Sequence, residues 1–345
     1  MSGRNGATDL HQGQYDWFDV PNAFAQWAHV PSRLVFEGAD RRAPRLTIAI
    51  PTFRRGALLI EAVASAIDQL WTEPFEVIVV DNDPDSEGAA PLLAALPRLA
   101  QANFRYYINA ENTGMFGNWN RSIELARAEW YTMLHDDDLL VPQFASRMMA
   151  VLDRDRSIDG LTCQRLFFGP EVPTTRPSPL AAIARRVGTE GRFGGKRVRR
   201  FGPRRFFWWA TSPVGLIVRK QDCIALGGYQ PGEWPSADYY FQLRFAIRHR
   251  LFESRDHLVR IRSQENESLK PETAMSILVG AHVLRARMAG TVVPRWWLKL
   301  SGMMLERYRP TYGFTRDAVE EATGVKLPRD RRALFIVCKG LTGGY

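Results

Sequence analysis

Cysteine is scarce in this sequence and shows no pattern. Cys163, Cys223 and Cys338 are the three in 345 residues. They lie too far apart for CxxC or Cys/His ligand spacing, which argues against a disulfide framework and a zinc site and makes a reducing cytoplasm the default compartment. Long apolar runs are missing as well. No stretch of about 18 apolar residues occurs, so no spanning helix is expected, and the opening Met1-Ser2-Gly3-Arg4-Asn5-Gly6 leads into no signal core. The net charge is +9, yet no nucleic-acid-binding motif accompanies it, and no nucleic acid partner is expected. An anionic small molecule, an anionic headgroup or a membrane surface is what such a charge would attract. The remainder, 45% apolar and 24% charged, is the composition of a globular protein with a sizeable core, in one large domain or two ordinary ones.

The most informative stretch is 130–142. An apolar run from Trp130 to Leu134 reads as a buried strand and ends in three carboxylates, Asp136, Asp137 and Asp138. Adjacent aspartates repel one another, and a divalent cation is the usual remedy, since hard cations prefer carboxylate oxygens. An isolated triplet is more often a solvated capping turn. At the carboxyl end of a buried strand, where open α/β sheets hold their ligands, it points to a bound cation. His135 is expected to alternate away from Asp136 and to pack.

The segments before it repeat a strand–helix–strand pattern. Residues 45–51 read as a strand ended by Pro51, and residues 57–70 as a helix whose inner face carries Leu59, Val63, Ala66, Ile67 and Leu70. The continuous apolar run 75–80 reads as a strand buried on both faces, ending in Asp81-Asn82-Asp83. A strand at 104–108 and a helix at about 118–127, with Trp119, Ile123 and Ala126 inside, complete βαβ units and hence a parallel sheet. A helix carrying Phe144, Met148, Met149 and Leu152 follows Pro142. Residues 1–44 are expected to form an extension in which Phe24, Trp27 and Val30, with 15–18, make a short covering helix. From about 169 to 205 periodicity fails in a proline-, glycine- and arginine-rich stretch, expected as a mobile basic loop or a solvated basic face. Beyond it come a strand at 214–218, a helix from about Ala237, a strand at 257–261 and a helical region from 269 to 345. In that last region Arg295-Trp296-Trp297-Leu298-Lys299 could either pack or lie in a membrane interface.

These pieces resemble the family 2 glycosyltransferases, inverting enzymes of the GT-A fold. The matching residues are Ile50-Pro51-Thr52-Phe53-Arg54-Arg55, Val79-Val80-Asp81-Asn82-Asp83, Asn112-Thr113-Gly114-Met115-Phe116-Gly117-Asn118-Trp119-Asn120 and the triplet, in that order over about 45–268. The resemblance implies a doubly wound, mostly parallel α/β sheet with a nucleotide half at 45–142, an acceptor half at 143–268 and a helical C-terminal extension. It implies a nucleotide pocket built from Pro51, Thr52, Phe53, Arg54, Asp81, Asn112, Gly114, Asn118, Asn120 and Asp136. Asp137 and Asp138 would ligate Mg²⁺ or Mn²⁺, and Asp238 would be the catalytic base, with a helix N-cap as its other reading. Two departures stand out: Ala237 occupies the place of a family carboxylate, and Arg262 that of a histidine. Trp208, Trp209 and Trp234 flank the expected acceptor cleft, where they could stack on a sugar or pack in the core.

The function so implied is transfer of a sugar from a UDP- or dTDP-sugar to a glycan or lipid-linked acceptor, in the cytoplasm, with peripheral contact at the inner membrane face left open. A sugar-phosphate nucleotidylyltransferase would carry a glycine-rich loop after the first strand, and 51–56 has a single glycine. A nucleotide- or glycan-binding protein on a decayed transferase fold is the non-enzymatic alternative.

Overall fold

The computed structural model describes residues 19–170, 197–208, 212–263, 271–308 and Asp317. Four fully or almost fully buried strands form its centre: β2 (Leu46–Thr52), β3 (Phe75–Asp81), β4 (Phe104–Asn109) and β5 (Trp130–Met133). They run parallel in the order β4-β3-β2-β5. Burial on both faces is what their mostly apolar runs require, and the charges that interrupt them, Glu76 of β3 and Arg105 of β4, are buried as an ion pair. The register pairs Thr52 with Asp81 and Asp81 with Ile108, so the polar ends of β2 and β3 stand side by side.

The sheet extends on both sides. Strand β1 (Ser32–Glu37) closes one edge antiparallel to β4. Beyond β5 lie β9 (Ile217–Arg219), β7 (Gly160–Phe168), β10 (Leu251–Arg262) and the two-residue β6 (Leu139–Leu140), while β8 (Val198–Arg200) also pairs with β10. This second half is mixed: β9 is antiparallel to both β5 and β7, whereas β7 and β10 are parallel.

Helices cover both faces. On one side α1 (Ala57–Ile67), α2 (Ala90–Ala95) and α4 (Phe144–Arg154) bury Val63, Leu92, Met148 and Met149 against Ile48, Ile50, Val77 and Val79. On the other, α3 (Gly114–Leu125), the short α5 (Lys220–Ala225) and α6 (Ala237–Arg248) pack Trp119, Ile123, Phe241 and Phe245 against Ala49, Ile78, Val80 and Tyr131. Successive residues of β2 thus serve opposite cores, as the two-residue strand period demands. Two further helices follow: α7 (Pro271–Met288) docks on α6, where Tyr240 Oη donates to the Gly280 carbonyl at 2.7 Å, and α8 (Trp297–Tyr308) packs on α7, where His282 Nδ1 and Ser301 Oγ lie 2.8 Å apart.

Several expectations change. Helix α1 stops at Ile67, leaving Leu70 63% exposed. The buried neighbour is Gln69, whose amide nitrogen donates to the Ser65 and Val141 carbonyls and whose oxygen accepts from Ala145 N–H. Helix α3 begins at Gly114, a turn earlier than its apolar residues suggest, because φ is +73° there and glycine enters that region without strain. The extension supplies a 3₁₀ turn at Ala23–Trp27, with Phe24 and Val30 buried, and the strand β1; residues 15–18 lie outside the described residues. The stretch 169–205 is not all loop. Its end forms β8, where Arg199 pairs with buried Glu253 at 2.8 Å, whereas 171–196 lies outside the described residues. The strand expected at 257–261 runs from Leu251, and β7 is a strand where none was expected.

Candidate active site

The carboxyl ends of the parallel strands meet at one edge. Thr52 donates its hydroxyl proton to Asp136 at 2.7 Å, and its carbonyl accepts from Asn82 N–H at 2.9 Å. One threonine thereby joins the ends of β2 and β3 to the acidic triplet that follows β5. Asp81 is buried, accepting from Tyr106 Oη at 2.6 Å and from the Asp83 amide at 3.0 Å. Arg54 sits at φ +57° and grips Asp83 through two hydrogen bonds of 2.6 and 3.2 Å, with its guanidinium 5.0 Å over the exposed ring of Phe53. Pro51 is buried in the strand beneath them.

An asparagine lattice sets the floor. The Asn82 oxygen receives Asn109 Nδ2 and both the amide and hydroxyl of Thr113, each at 3.0 Å. Its nitrogen donates to Asn112 and to the Gly114 carbonyl. Asn118 accepts from Asn109 and donates to the Val80 and Thr52 carbonyls, while Asn120 clasps Tyr229 through both its N–H and its C=O at 2.8 Å. Asn118 and Asn120, expected among nucleotide ligands, therefore have their amides engaged within the chain, Asn118 holding helix α3 to the strand ends and Asn120 holding it to the turn after α5. The amide of Asn112 likewise has Asn82 and Gly114 N–H as partners, although Asn112 and Gly114 remain exposed at the rim.

The triplet is crowded. Asp136 and Asp138 are buried, and burial pushes their carboxyls up to about 6 and about 7. The Thr52 hydroxyl and the Arg55 charge oppose the rise at Asp136. The Arg262 amide opposes it at Asp138, where the charges of Asp137 and Asp136 add to it. Arg55 reaches over with its guanidinium 3.5 Å from Asp136 and 3.7 Å from Asp137. His135 does pack, stacking on Trp119 at 5.2 Å, but the chain turns after Met133, and strand alternation no longer aims its ring away. Its Nδ1 lies 3.6 Å from Asp138, its Nε2 is buried with no partner among the described residues, and burial depresses its basicity. Ligand atoms of His135, Asp137 and Asp138 all fall within 4.8 Å of one another. Two carboxylates suit Mg²⁺ or Mn²⁺, and a neutral imidazole with an unpartnered nitrogen beside them favours Mn²⁺, the less hard of the two.

Arg262 was legible only as a missing histidine. Its backbone N–H donates to Asp138 at 2.9 Å, its Nε to the Asp137 carbonyl at 2.9 Å, and its terminal nitrogen to Glu61 at 2.6 Å. It clasps the triplet's backbone to helix α1. Arg55, Tyr106, Asn82 and Asn109 also belong to the site; Arg55 and Asn82 fell within quoted motifs but were given no role there, and Tyr106 and Asn109 lay outside them.

Asp238 stands on another element, in the first turn of α6. Burial pushes its carboxyl up to about 6, against its own and Tyr239's backbone N–H groups and the charge of Arg165. Those amides are among the free donors of a helix start, where Ser236 at the N-cap position makes no side-chain hydrogen bond to them. Ala237 beside it is fully buried in the core. The preceding turn is fixed by the buried Glu233–Arg244 ion pair, which ties Pro231–Glu233 to α6. Trp208 packs between Phe207 and Trp297, and Trp234 is half-buried against the same core; Trp209 lies outside the described residues.

Comparison with known proteins agrees with this geometry. The chain is 26% identical over 214 residues to an uncharacterized protein of Mycobacterium tuberculosis, covering 59% of this chain and 63% of that one. It is 32% identical over 107 residues to the GalNAc(5)-diNAcBac-PP-undecaprenol beta-1,3-glucosyltransferase of Campylobacter jejuni, covering 31% and 34%. The chain thus spans less than two thirds of either relative. Among solved structures, Staphylococcus aureus TarS 1-349 with UDP-GlcNAc superposes with a TM-score of 0.53 at 15% identity, covering 80% and 75% of the two chains. The mannosyltransferase PcManGT of Pyrobaculum calidifontis, with GDP-Man and Mn²⁺, does so with a TM-score of 0.53 at 16% identity, covering 87% and 77%. Both are glycosyltransferases of the GT-A fold, and that fold is shared here. The sequence profile of glycosyl transferase family 2 matches residues 47–223, more than half of the chain and all of the edge from Thr52 to Asp138. The chain belongs to glycosyl transferase family 2.

Proposed function

We propose that this chain is a metal-dependent inverting glycosyltransferase that moves a sugar from a UDP- or dTDP-sugar to a glycan or lipid-linked acceptor. The observation that carries the reading is the strand-end edge, where Thr52, Asp81 and the triplet adjoin three clustered metal-ligand atoms. The nucleoside belongs between Asp81, Thr52 and the exposed face of Phe53, with Arg54 and the Asn112–Gly114 rim beside it. Asp137, Asp138 and His135 would hold the cation, and a divalent ion bound there neutralises the charge that grows on the departing diphosphate. Arg55, within reach of Asp136 and Asp137, adds a fixed positive charge on the same side. UDP in TarS and Mn²⁺ in PcManGT are the precedents for donor and metal.

Asp238 is the base. An acceptor hydroxyl is scarcely ionised at neutral pH, so its proton must leave as its oxygen bonds to the anomeric carbon and the bond to the diphosphate breaks. A carboxyl pushed to about 6 is ionised at pH 7 and more basic than an ordinary aspartate. The lipid diphosphate in the name of the Campylobacter relative is the precedent for a lipid-linked acceptor.

A thermal-shift panel of UDP, dTDP, GDP and CDP with and without Mn²⁺ tests the donor site. One nucleotide should stabilise the wild type in the presence of metal and leave Asp137→Ala unmoved. Asp238→Asn should keep that shift and lose transfer by roughly 10²-fold or more; near-normal transfer would remove Asp238 from the mechanism. Binding without catalysis is the second reading, favoured by buried Ala237 and by the Arg262 clasp in place of a histidine. A metal-dependent shift with neither transfer nor donor hydrolysis across an acceptor panel would select it.

A further inference from the structure

The corner between α7 and α8 takes no part in the site, yet it is built in an unusual way. After Met288 the chain makes a tight loop in which Gly290 N–H donates to the Val293 carbonyl at 2.7 Å. The apolar side chains that follow go in two directions. Val293 is buried, and Trp297 packs on Phe207 and Trp208 at 5.0 and 5.3 Å. Trp296 and Leu298 face outward, 62% and 42% exposed, between the exposed side chains of Arg295 and Lys299. A single exposed apolar residue needs no explanation. Here an indole and a leucine share one corner with two cations, and no aspartate or glutamate occurs from residue 273 to residue 305.

We propose that this corner is a peripheral anchor for an anionic phospholipid surface. Trp296 and Leu298 would enter the boundary between headgroups and acyl chains, where tryptophan is favoured because its ring is apolar and its N–H is polar. Arg295 and Lys299 would meet lipid phosphates, each strengthening attachment about fivefold on an anionic leaflet. A second copy of this chain fits the corner less well, since a two-fold contact would set these cations against their own equivalents. No helix among the described residues is long and apolar enough to cross a membrane, so attachment through this corner is reversible and weakened by salt. It would hold whether or not the strand-end edge transfers sugar, and a lipid-linked acceptor would be met on the surface that binds the corner.

The test is co-sedimentation of the full chain with vesicles of phosphatidylcholine alone and of phosphatidylcholine with a quarter phosphatidylglycerol. The wild type should bind the anionic vesicles and be released by high salt. Trp296→Ser combined with Leu298→Ser should reduce partitioning at least tenfold, and Arg295→Gln with Lys299→Gln by about 25-fold. Both should keep the wild-type melting point and the metal-dependent nucleotide shift. Quenching of wild-type fluorescence by brominated lipid should fall when Trp296 is replaced by Phe. Wild-type protein remaining in the supernatant with both vesicle types overturns the proposal, as do variants that bind as tightly as the wild type. A dimer that the Trp296/Leu298 variant converts to monomer would assign the corner to a second copy instead.

Discussion

Burial leaves Asp138 with a choice between a proton and a cation. Its carboxyl is pushed to about 7, against about 3.9 in an unfolded chain, so between those values the folded protein holds a proton that the unfolded chain has released. Stability from this source is complete at low pH and lost as the pH rises through 7. Asp138→Asn keeps an oxygen for the Arg262 amide and cannot ionise. Without metal it should match the wild type near pH 4 and exceed it near pH 8 by on the order of 2 kcal/mol, read by denaturant unfolding. It should also lose the stabilisation by Mn²⁺, which in the wild type should fade as acid returns protons to Asp136 and Asp138. A variant less stable than the wild type at both pH values would mean that the carboxylate is already compensated within the chain. The triplet itself was legible in the sequence, because three aspartates after an apolar run are conspicuous. The parts played by Arg55 and Arg262 were not, since each reaches the triplet from a distant position, Arg262 across 125 residues of chain to the Asp137 carbonyl.

At the scale of elements, the strand ends are fastened by amides rather than by charge. Asn82 joins β3 to β4 through Asn109 and to the start of α3 through Thr113 and Gly114. Replacing it by alanine leaves several buried donors and acceptors unpaired, at a cost of about 3 kcal/mol. Asn82→Ala should show that loss in denaturant unfolding and should weaken nucleotide-dependent stabilisation, because the rim at Asn112 and Gly114 loses its support. Unchanged stability would mean that water replaces these contacts. Strands β2, β3, β4 and β5 could be read from sequence because burial on both faces writes a mostly apolar run, broken in β3 and β4 only by the paired Glu76 and Arg105. Strands β1, β7 and β8 could not. Ser32–Glu37 is half exposed at an edge, β7 ends in exposed Leu166 and Phe167, and Val198–Arg200 looks like part of a basic run until Glu253 is seen beneath it. The lattice of Asn82, Asn109 and Asn118 was hidden for a different reason: it depends on register between strands, which no single segment carries.

For the whole molecule, β9 decides how the halves behave. Inserted antiparallel between β5 and β7, it makes one continuous sheet of the half proposed to bind the nucleotide and the half that carries Asp238. Calorimetry should therefore show a single main transition for both halves, displaced as a unit by metal and nucleotide; two transitions, of which the ligand moves one, would show that the halves melt separately. The Arg262 clasp gives that continuity a mechanical side. Arg262 is the last residue of β10, and from there the chain runs on toward α7 and α8. Once α7 and α8 are pulled from the core, the first residue of the sheet to be loaded is the one that grips the Asp137 carbonyl, the Asp138 carboxylate and Glu61. Force that peels β10 from that end would therefore act on the acidic triplet before it reaches the rest of the sheet.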